Sequence, residues 1–120
     1  MTTIPPITTE RWLEIIKYEL DRIADRDYQE RAWFNRSPEV SSPTEMICML
    51  LDTYGFEEGS QAPYLQISDA QRAACLRFAR LLKAFSRQHK GRLDEHEVID
   101  DPDWEKVRIA AKELIKELYP

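Results

Sequence analysis

Helix start signals recur four times along this 120-residue chain, and each is followed by apolar side chains at helical spacing. Serine, threonine and aspartate accept hydrogen bonds from the free N–H groups of a first turn, and proline suits the first helical position. Apolar residues three and four positions apart lie on one face of a helix, which must then be covered. The chain is therefore constrained to an all-α fold. The four signals are Thr9, Ser42-Pro43-Thr44-Glu45, Ser68-Asp69-Ala70-Gln71 and Asp101-Pro102-Asp103.

The helices are predicted over about 9–32, 43–54, 69–90 and 102–118 of a single domain. Capping boxes are expected at Ser42/Glu45 and Ser68/Gln71, and Gly55 and Gly91 are expected to end the second and third helices. Because two of the connections are long, an irregular four-helix bundle is favoured over an ideal up-and-down one. The first and fourth helices carry the clearest apolar stripes: Trp12, Leu13, Ile16, Leu20 and Ile23, and Trp104, Val107, Ala111, Leu114 and Leu118.

The second predicted helix is the most apolar segment of the chain. Its run Met46-Ile47-Cys48-Met49-Leu50-Leu51 covers most of a helical circumference. A helix that is apolar nearly all round belongs inside a bundle, so this helix is expected to be the most buried element. Cys48 and Cys75 both fall within apolar patterns, and we interpret them as reduced core residues of a cytoplasmic protein.

Composition argues against several classes of function. Only three glycines occur, and no phosphate-binding or nucleotide-binding glycine motif is present. Neither a nucleophile elbow nor a Ser-x-x-Lys motif appears, so no catalytic residue and no cofactor is predicted. The longest apolar run has six residues, far below the roughly 20 needed to span a bilayer. The first residues lack a charged and an apolar region, which argues against a signal peptide and for a cytoplasmic location with no membrane contact.

His96 lies among acidic residues, in the sequence Asp94-Glu95-His96-Glu97. This spacing matches neither a calcium-binding loop nor a pair of histidines on one helical face. We interpret the segment as a solvated acidic loop that precedes a helix, and no metal site is predicted.

Charge is sorted into blocks along the chain, although the net charge is −5. From 72 to 92 there are seven basic residues and no acid, whereas 94 to 105 holds seven acids in twelve residues. On a helical wheel the basic side chains of the third helix lie opposite its apolar face. This basic stripe is expected to be a solvated surface or to be neutralised within the chain, by acids of 94–105 and of the first helix, with a protein partner and nucleic acid as alternatives. The stripe comprises Arg77, Arg80, Lys83, Arg87 and Lys90.

A small aromatic patch follows the first helix. Trp33 and Phe34 are adjacent, and Arg36 follows them closely. Aromatic rings beside an arginine are typical of interface hot spots. The favoured interpretation is nevertheless that both rings fold back onto the core, as aromatic rings do in most small domains, and a partner-binding patch is the alternative.

The function predicted from these patterns is non-catalytic binding of another protein. The most concrete form is an acidic inhibitor of the immunity or antitoxin type, which masks a basic toxin by electrostatic complementarity. One alternative is a nucleic-acid-associated regulator that uses the basic stripe, and another is a small helical enzyme built from dispersed carboxylates. The oligomeric state stays open. The acidic residues predicted to meet the partner are Glu95, Glu97, Asp100, Asp101 and Asp103.

Overall fold

A computed structural model describes residues 7–90 and 92–120 and confirms the all-α class. These described residues form seven α-helices and no strand, where four helices were predicted. A π-helical turn, Met49–Thr53, directly continues the α-helix Pro43–Cys48. The helices are α1 Thr9–Ala24, α2 Arg26–Trp33, α3 Pro43–Cys48, α4 Phe56–Ser60, α5 Asp69–Gln88, α6 Glu95–Val98 and α7 Pro102–Leu118.

Three long helices carry the core. Both α1 and α5 pack against α7, which therefore occupies the centre of the fold. Helices α5 and α7 are antiparallel, because Gln71 binds the carbonyl of Glu117 and Gln88 binds the carboxylate of Asp103. Within the described residues no helix is both long and apolar enough to cross a bilayer. The fully buried side chains at this centre include Ile16, Leu20, Ile23, Leu82, Trp104 and Val107.

The single first helix predicted over 9–32 is wrong, because the chain bends at Asp25. That residue has extended backbone angles, φ −103° and ψ 99°, and its carboxylate accepts a hydrogen bond from the Tyr28 amide at 3.1 Å. Gln29 stabilises the bend from inside, since its Nε2 donates to the carbonyls of Arg22 and Ile23 at 2.9 and 2.8 Å. These carbonyls belong to the last turn of α1, where carbonyls lack an amide four residues on; that of Arg22 also accepts from the Asp25 amide at 3.4 Å.

The second predicted helix is helical over nearly its whole length, as α3 and the π-helical turn, but it is not the most buried element. Ser42 caps α3 at 3.0 Å from the Glu45 amide, but the reciprocal bond of a capping box is absent from the hydrogen bonds of the described residues. Met46 and Leu50 are buried, whereas Cys48 is exposed, contrary to the prediction. The reason is position: α3 and the π-helical turn pack against α1 on one side and leave their other side to solvent.

The segment predicted as a simple connector after Gly55 contains α4. Gly55 has the expected left-handed backbone, φ +54°. Phe56 is fully buried and stacks on Trp12, with ring centroids 6.0 Å apart and planes within 8°. Gly59 lies against the same indole, so close that a Cβ there would stand 2.9 Å from Trp12 Nε1.

The side chain of Arg72 is used in hydrogen bonds within the protein and is not part of a basic surface. Its guanidinium donates to the carbonyls of Ser60 and Ala62 at 3.1 and 2.9 Å, and also to that of Leu65. These bonds tie α5 to the irregular chain that follows α4.

The starts of the last two long helices were predicted correctly. Ser68 and Gln71 form the complete capping box of α5, with bonds of 3.1 and 2.8 Å, and Asp101 caps α7 at 2.8 Å from the Asp103 amide. Helix α7 has the predicted bounds, but α5 ends at Gln88, two residues before the prediction. Lys90 itself takes a left-handed backbone, φ +53°, and the predicted stop at Gly91 lies outside the described residues.

Candidate functional site

The acidic segment 94–105 is anchored to the body of the protein and is not a freely solvated loop. It contains the short helix α6, which Asp94 caps at 2.8 Å from the His96 amide, and Val98 and Ile99 are buried. The carbonyl of Ile99 accepts two arginine hydrogen bonds, from Arg26 at 3.0 Å and from Arg108 at 2.9 Å. The position of this segment is therefore fixed by α2, which is distant in sequence, and by α7, which begins within the segment.

Arg108 is the centre of a buried polar network that sequence reasoning missed. Its side chain is 1% exposed, and its Nε donates to Gln29 Oε1 at 2.9 Å, next to a bond of 3.1 Å from Trp104 Nε1. Burial lowers the pKa of Arg108, and its bond to Glu105, 3.2 Å long, opposes that shift. A buried charge is tolerated only when its donors are matched in this way.

A sequence signal for this network did exist. Arg108 lies four positions after Trp104 and three before Ala111, which places it on the apolar face of α7. A charged residue on such a face predicts a buried partner, although periodicity alone does not identify Gln29 as that partner.

Helix α2 and the residues that follow it form a cleft of about 320 Å³ with α6 and the residues that follow α6. The half-buried ring of Phe34 packs on the imidazole of His96, with centroids 4.9 Å apart and planes tilted by 41°. Arg36 approaches the same ring, its Cζ 5.9 Å from the centroid. The chain reverses before Arg36 because Asn35 has a left-handed backbone, φ +56°, and the Arg36 amide donates to the carbonyl of Arg31 at 2.8 Å.

Carboxylates from both sides of the cleft meet at Arg26. Its guanidinium lies 2.6 Å from Asp100 and 2.9 Å from Glu30, and these two hydrogen bonds raise its pKa. The side chain of Asp100 is 74% exposed. Exposed ion pairs of this kind contribute little to stability, so the same charges stay accessible to a partner.

The five acids predicted to bind a partner do not form one surface. Asp100 lines the cleft, and Glu95 and Glu97 flank His96 on α6. Asp101 instead caps α7 and lies 3.3 Å from His89 Nε2, and Asp103 contacts Gln88 and Lys106. Asp101 and Asp103 therefore serve the junction of α5 and α7.

The aromatic patch predicted from Trp33, Phe34 and Arg36 is divided in the same way. Trp33 is 6% exposed, donates to Met46 Sδ at 3.2 Å and packs on Trp104 with centroids 6.0 Å apart. It belongs to the core. Phe34 and Arg36 stay at the surface, and the structure brings them together with Asp100 of the acidic segment in the cleft.

Most of the basic stripe is exposed to solvent, which is one of the two expected forms, and acids of 94–105 or of α1 form no ion pair with it in the described residues. Lys83 is paired, but with Glu57 of α4. The other members are exposed, and within the described residues no carboxylate forms an ion pair with them. These exposed members are Arg77, Arg80, Arg87 and Lys90.

The described residues show neither a metal-binding cluster nor an activated thiol. No group of three histidine, cysteine, aspartate or glutamate side chains there could hold a metal ion. Burial raises the pKa of the Cys75 thiol to about 12, and partial desolvation together with Asp52 raises the pKa of Cys48, so both thiols are poor nucleophiles. Comparison of the chain with protein-family models, with curated proteins and with solved structures finds no match.

Proposed function

We propose that this protein is a non-catalytic binding module that docks a partner protein at the cleft between α2 and α6. The observation that carries the proposal is the half-buried Phe34 ring, held between His96 and Arg36 with carboxylates on the rim. Aromatic and arginine side chains in a partly desolvated pocket are the usual centres of protein interfaces.

Charge indicates what kind of partner fits. Glu30 and Asp100 line the cleft, Glu95 and Glu97 precede and follow His96 in the sequence of α6, and the whole chain has a net charge of −5. A basic partner would be attracted over distance and would find acceptors at the rim. The most concrete version is an inhibitor of the immunity or antitoxin type that masks a basic toxin in the cytoplasm.

The test is capture of the partner from the source cells by the full chain and by cleft variants. Phe34→Ala removes the ring in the cleft, and Glu97→Lys reverses an exposed charge on α6 without touching the core. The control is Tyr64→Ala, since Tyr64 is another aromatic residue at the surface, 42% exposed. We expect the wild type and the control to retain a partner that both cleft variants lose, with circular dichroism showing that all four proteins are folded. A partner retained equally by both cleft variants would contradict the proposal.

Nucleic acid is the second candidate, because Arg80 and Arg87 on α5 and Lys90 just after it are exposed without intramolecular ion pairs in the described part of the chain. Such a face can neutralise phosphates, and binding would then weaken steeply with salt. The measurement is retention of DNA and RNA at low ionic strength by the wild type and by Arg80→Glu/Arg87→Glu. Retention that the double variant loses would favour this candidate over a protein partner; the proposal above predicts none.

A further inference from the structure

An apolar groove of about 400 Å³ runs between α5 and α7, on a surface that the proposed cleft does not use. Its floor includes the half-buried Leu81 and two small residues, Ala74 and Ala110. Because alanine side chains are short, the two helices leave a depression where larger residues would fill the space between them. Ile109 lies beside Ala110 on α7 and is 51% exposed.

The two sides of the groove carry opposite charges. Arg77 stands on the α5 side, and Glu113 and Glu117 stand on the α7 side. In the described structure no ion pair joins Arg77 to either glutamate. The groove is therefore apolar at its floor, positive along one edge and negative along the other.

The register of the two helices places these charges at similar heights. Gln71 contacts the carbonyl of Glu117 near one end of the pair, and Gln88 contacts Asp103 near the other. Between these two antiparallel contacts, Arg77 of α5 lies across from Glu113 of α7. A rotation of 180° about an axis along the groove would lay α5 of one copy antiparallel over α7 of another.

From this self-complementarity we propose that the groove is covered by a second copy of this chain, in a two-fold symmetric dimer. In that arrangement Arg77 of each copy meets Glu113 of the other, so the contact occurs twice, as a two-fold interface requires. The floor residues and Ile109 bury apolar surface between the copies. The cleft between α2 and α6 stays free, so dimer formation does not depend on the function proposed above.

Sedimentation velocity over a concentration series at low salt tests the dimer. We expect the wild type to show a reversible monomer–dimer equilibrium, and Arg77→Glu and Glu113→Arg each to weaken it by about tenfold or more, because like charges then face each other twice. Mixing the two variants in equal amounts should restore a dimer, since each reversed charge meets an opposite one in the other chain. Arg80→Glu is the matched control, because it makes the same charge change on α5 outside the groove.

The mixture separates contacts between copies from contacts within one chain. If Arg77 and Glu113 acted only within one chain, mixing two defective variants would restore nothing, and that result would overturn the proposal. A wild type that stays monomeric throughout the series would overturn it as well, as would dimerisation of Arg77→Glu at wild-type strength. Circular dichroism of each variant excludes unfolding as the cause of a lost dimer.

Discussion

Glu19 is a carboxylic acid on α1 that is only 4% exposed, and no hydrogen bond to its carboxyl occurs among the described residues. Burial raises the pKa of this carboxyl, Arg22 partly opposes the shift, and Glu45 adds to it. A raised pKa means that the folded state binds the proton more tightly than the unfolded state. Glu19 therefore costs stability when it is ionised, and this cost disappears as the pH falls below its pKa in the unfolded chain.

Replacing Glu19 by glutamine should stabilise the protein at neutral pH. Because the charge is removed from a desolvated position, we expect the free energy of unfolding to rise by about 1 kcal/mol at pH 7. The gain should shrink toward acid pH, where Glu19 itself is protonated. Urea unfolding of the wild type and the variant at several pH values measures this difference, with Glu14→Gln as an exposed control on the same helix. If Glu19→Gln is less stable than the wild type at pH 7, the ionised carboxylate does not cost stability and the prediction is wrong.

Gly59 has a role that is specific to its missing side chain. A Cβ at this position would stand 2.9 Å from Trp12 Nε1, and the Trp12 ring is held by stacking on Phe56. Since a buried indole cannot move aside without disturbing its neighbours, Gly59→Ala should cost about 1–3 kcal/mol. A lower urea midpoint for this variant, with Glu58→Ala unchanged as the exposed control in α4, is the expected result. Equal midpoints would show that the indole yields easily.

At the scale of elements, the sequence predicted what is determined locally. The capping box of α5 and the Asp101-Pro102 start of α7 involve residues within three positions of each other, so their patterns were sufficient. The bend at Asp25 was missed because an aspartate inside a helical pattern is common, and because Gln29 stabilises the bend from the core. The prediction that the second predicted helix would be the most buried element was wrong, because apolar composition does not determine how many other elements pack around a helix.

The bend and the acidic segment are linked through Gln29. Its amide binds two carbonyls of α1 and also accepts from Trp104 and Arg108 of α7. Gln29→Leu removes four buried hydrogen bonds and leaves the Trp104 indole N–H without its partner, so it should lower the free energy of unfolding by about 2–3 kcal/mol. It should also speed amide hydrogen exchange at Val98 and Ile99, because Arg108 loses part of its support. Gln88→Leu, which removes a single exposed contact, serves as the control; equal effects of the two changes would contradict the role of the network.

Metal is not expected to hold any element in place. In the acidic segment Asp94 caps α6, and Asp100 is bound by Arg26, so these carboxylates have protein partners. The melting temperature should therefore be the same in EDTA as in buffer. A decrease of several degrees on chelation, reversed by a divalent cation, would show that a bound metal contributes to folding.

At the scale of the whole molecule, the candidate site was predicted only in pieces. The pattern identified Phe34, Arg36 and Asp100 as surface candidates, but not that the first two would meet the third. Contacts such as that of Phe34 with His96 join distant parts of the chain, and periodicity carries no information about them. Trp33 lies in the core, as the favoured interpretation of the two rings expected, because as the last residue of α2 it faces Trp104.

The central claim is that a basic protein partner is drawn to the cleft by the acids beside it. The most direct measurement is the association rate of the captured partner with the wild type and with Glu95→Gln/Glu97→Gln, over a range of salt concentrations. We predict slower association with a shallower salt dependence and a nearly unchanged dissociation rate, because these charges act before contact is complete. Glu14→Gln/Asp21→Asn removes the same charge from exposed positions on α1 and should have a smaller effect. Equal association rates for the two double variants, with binding lost in Arg80→Glu/Arg87→Glu, would contradict the account.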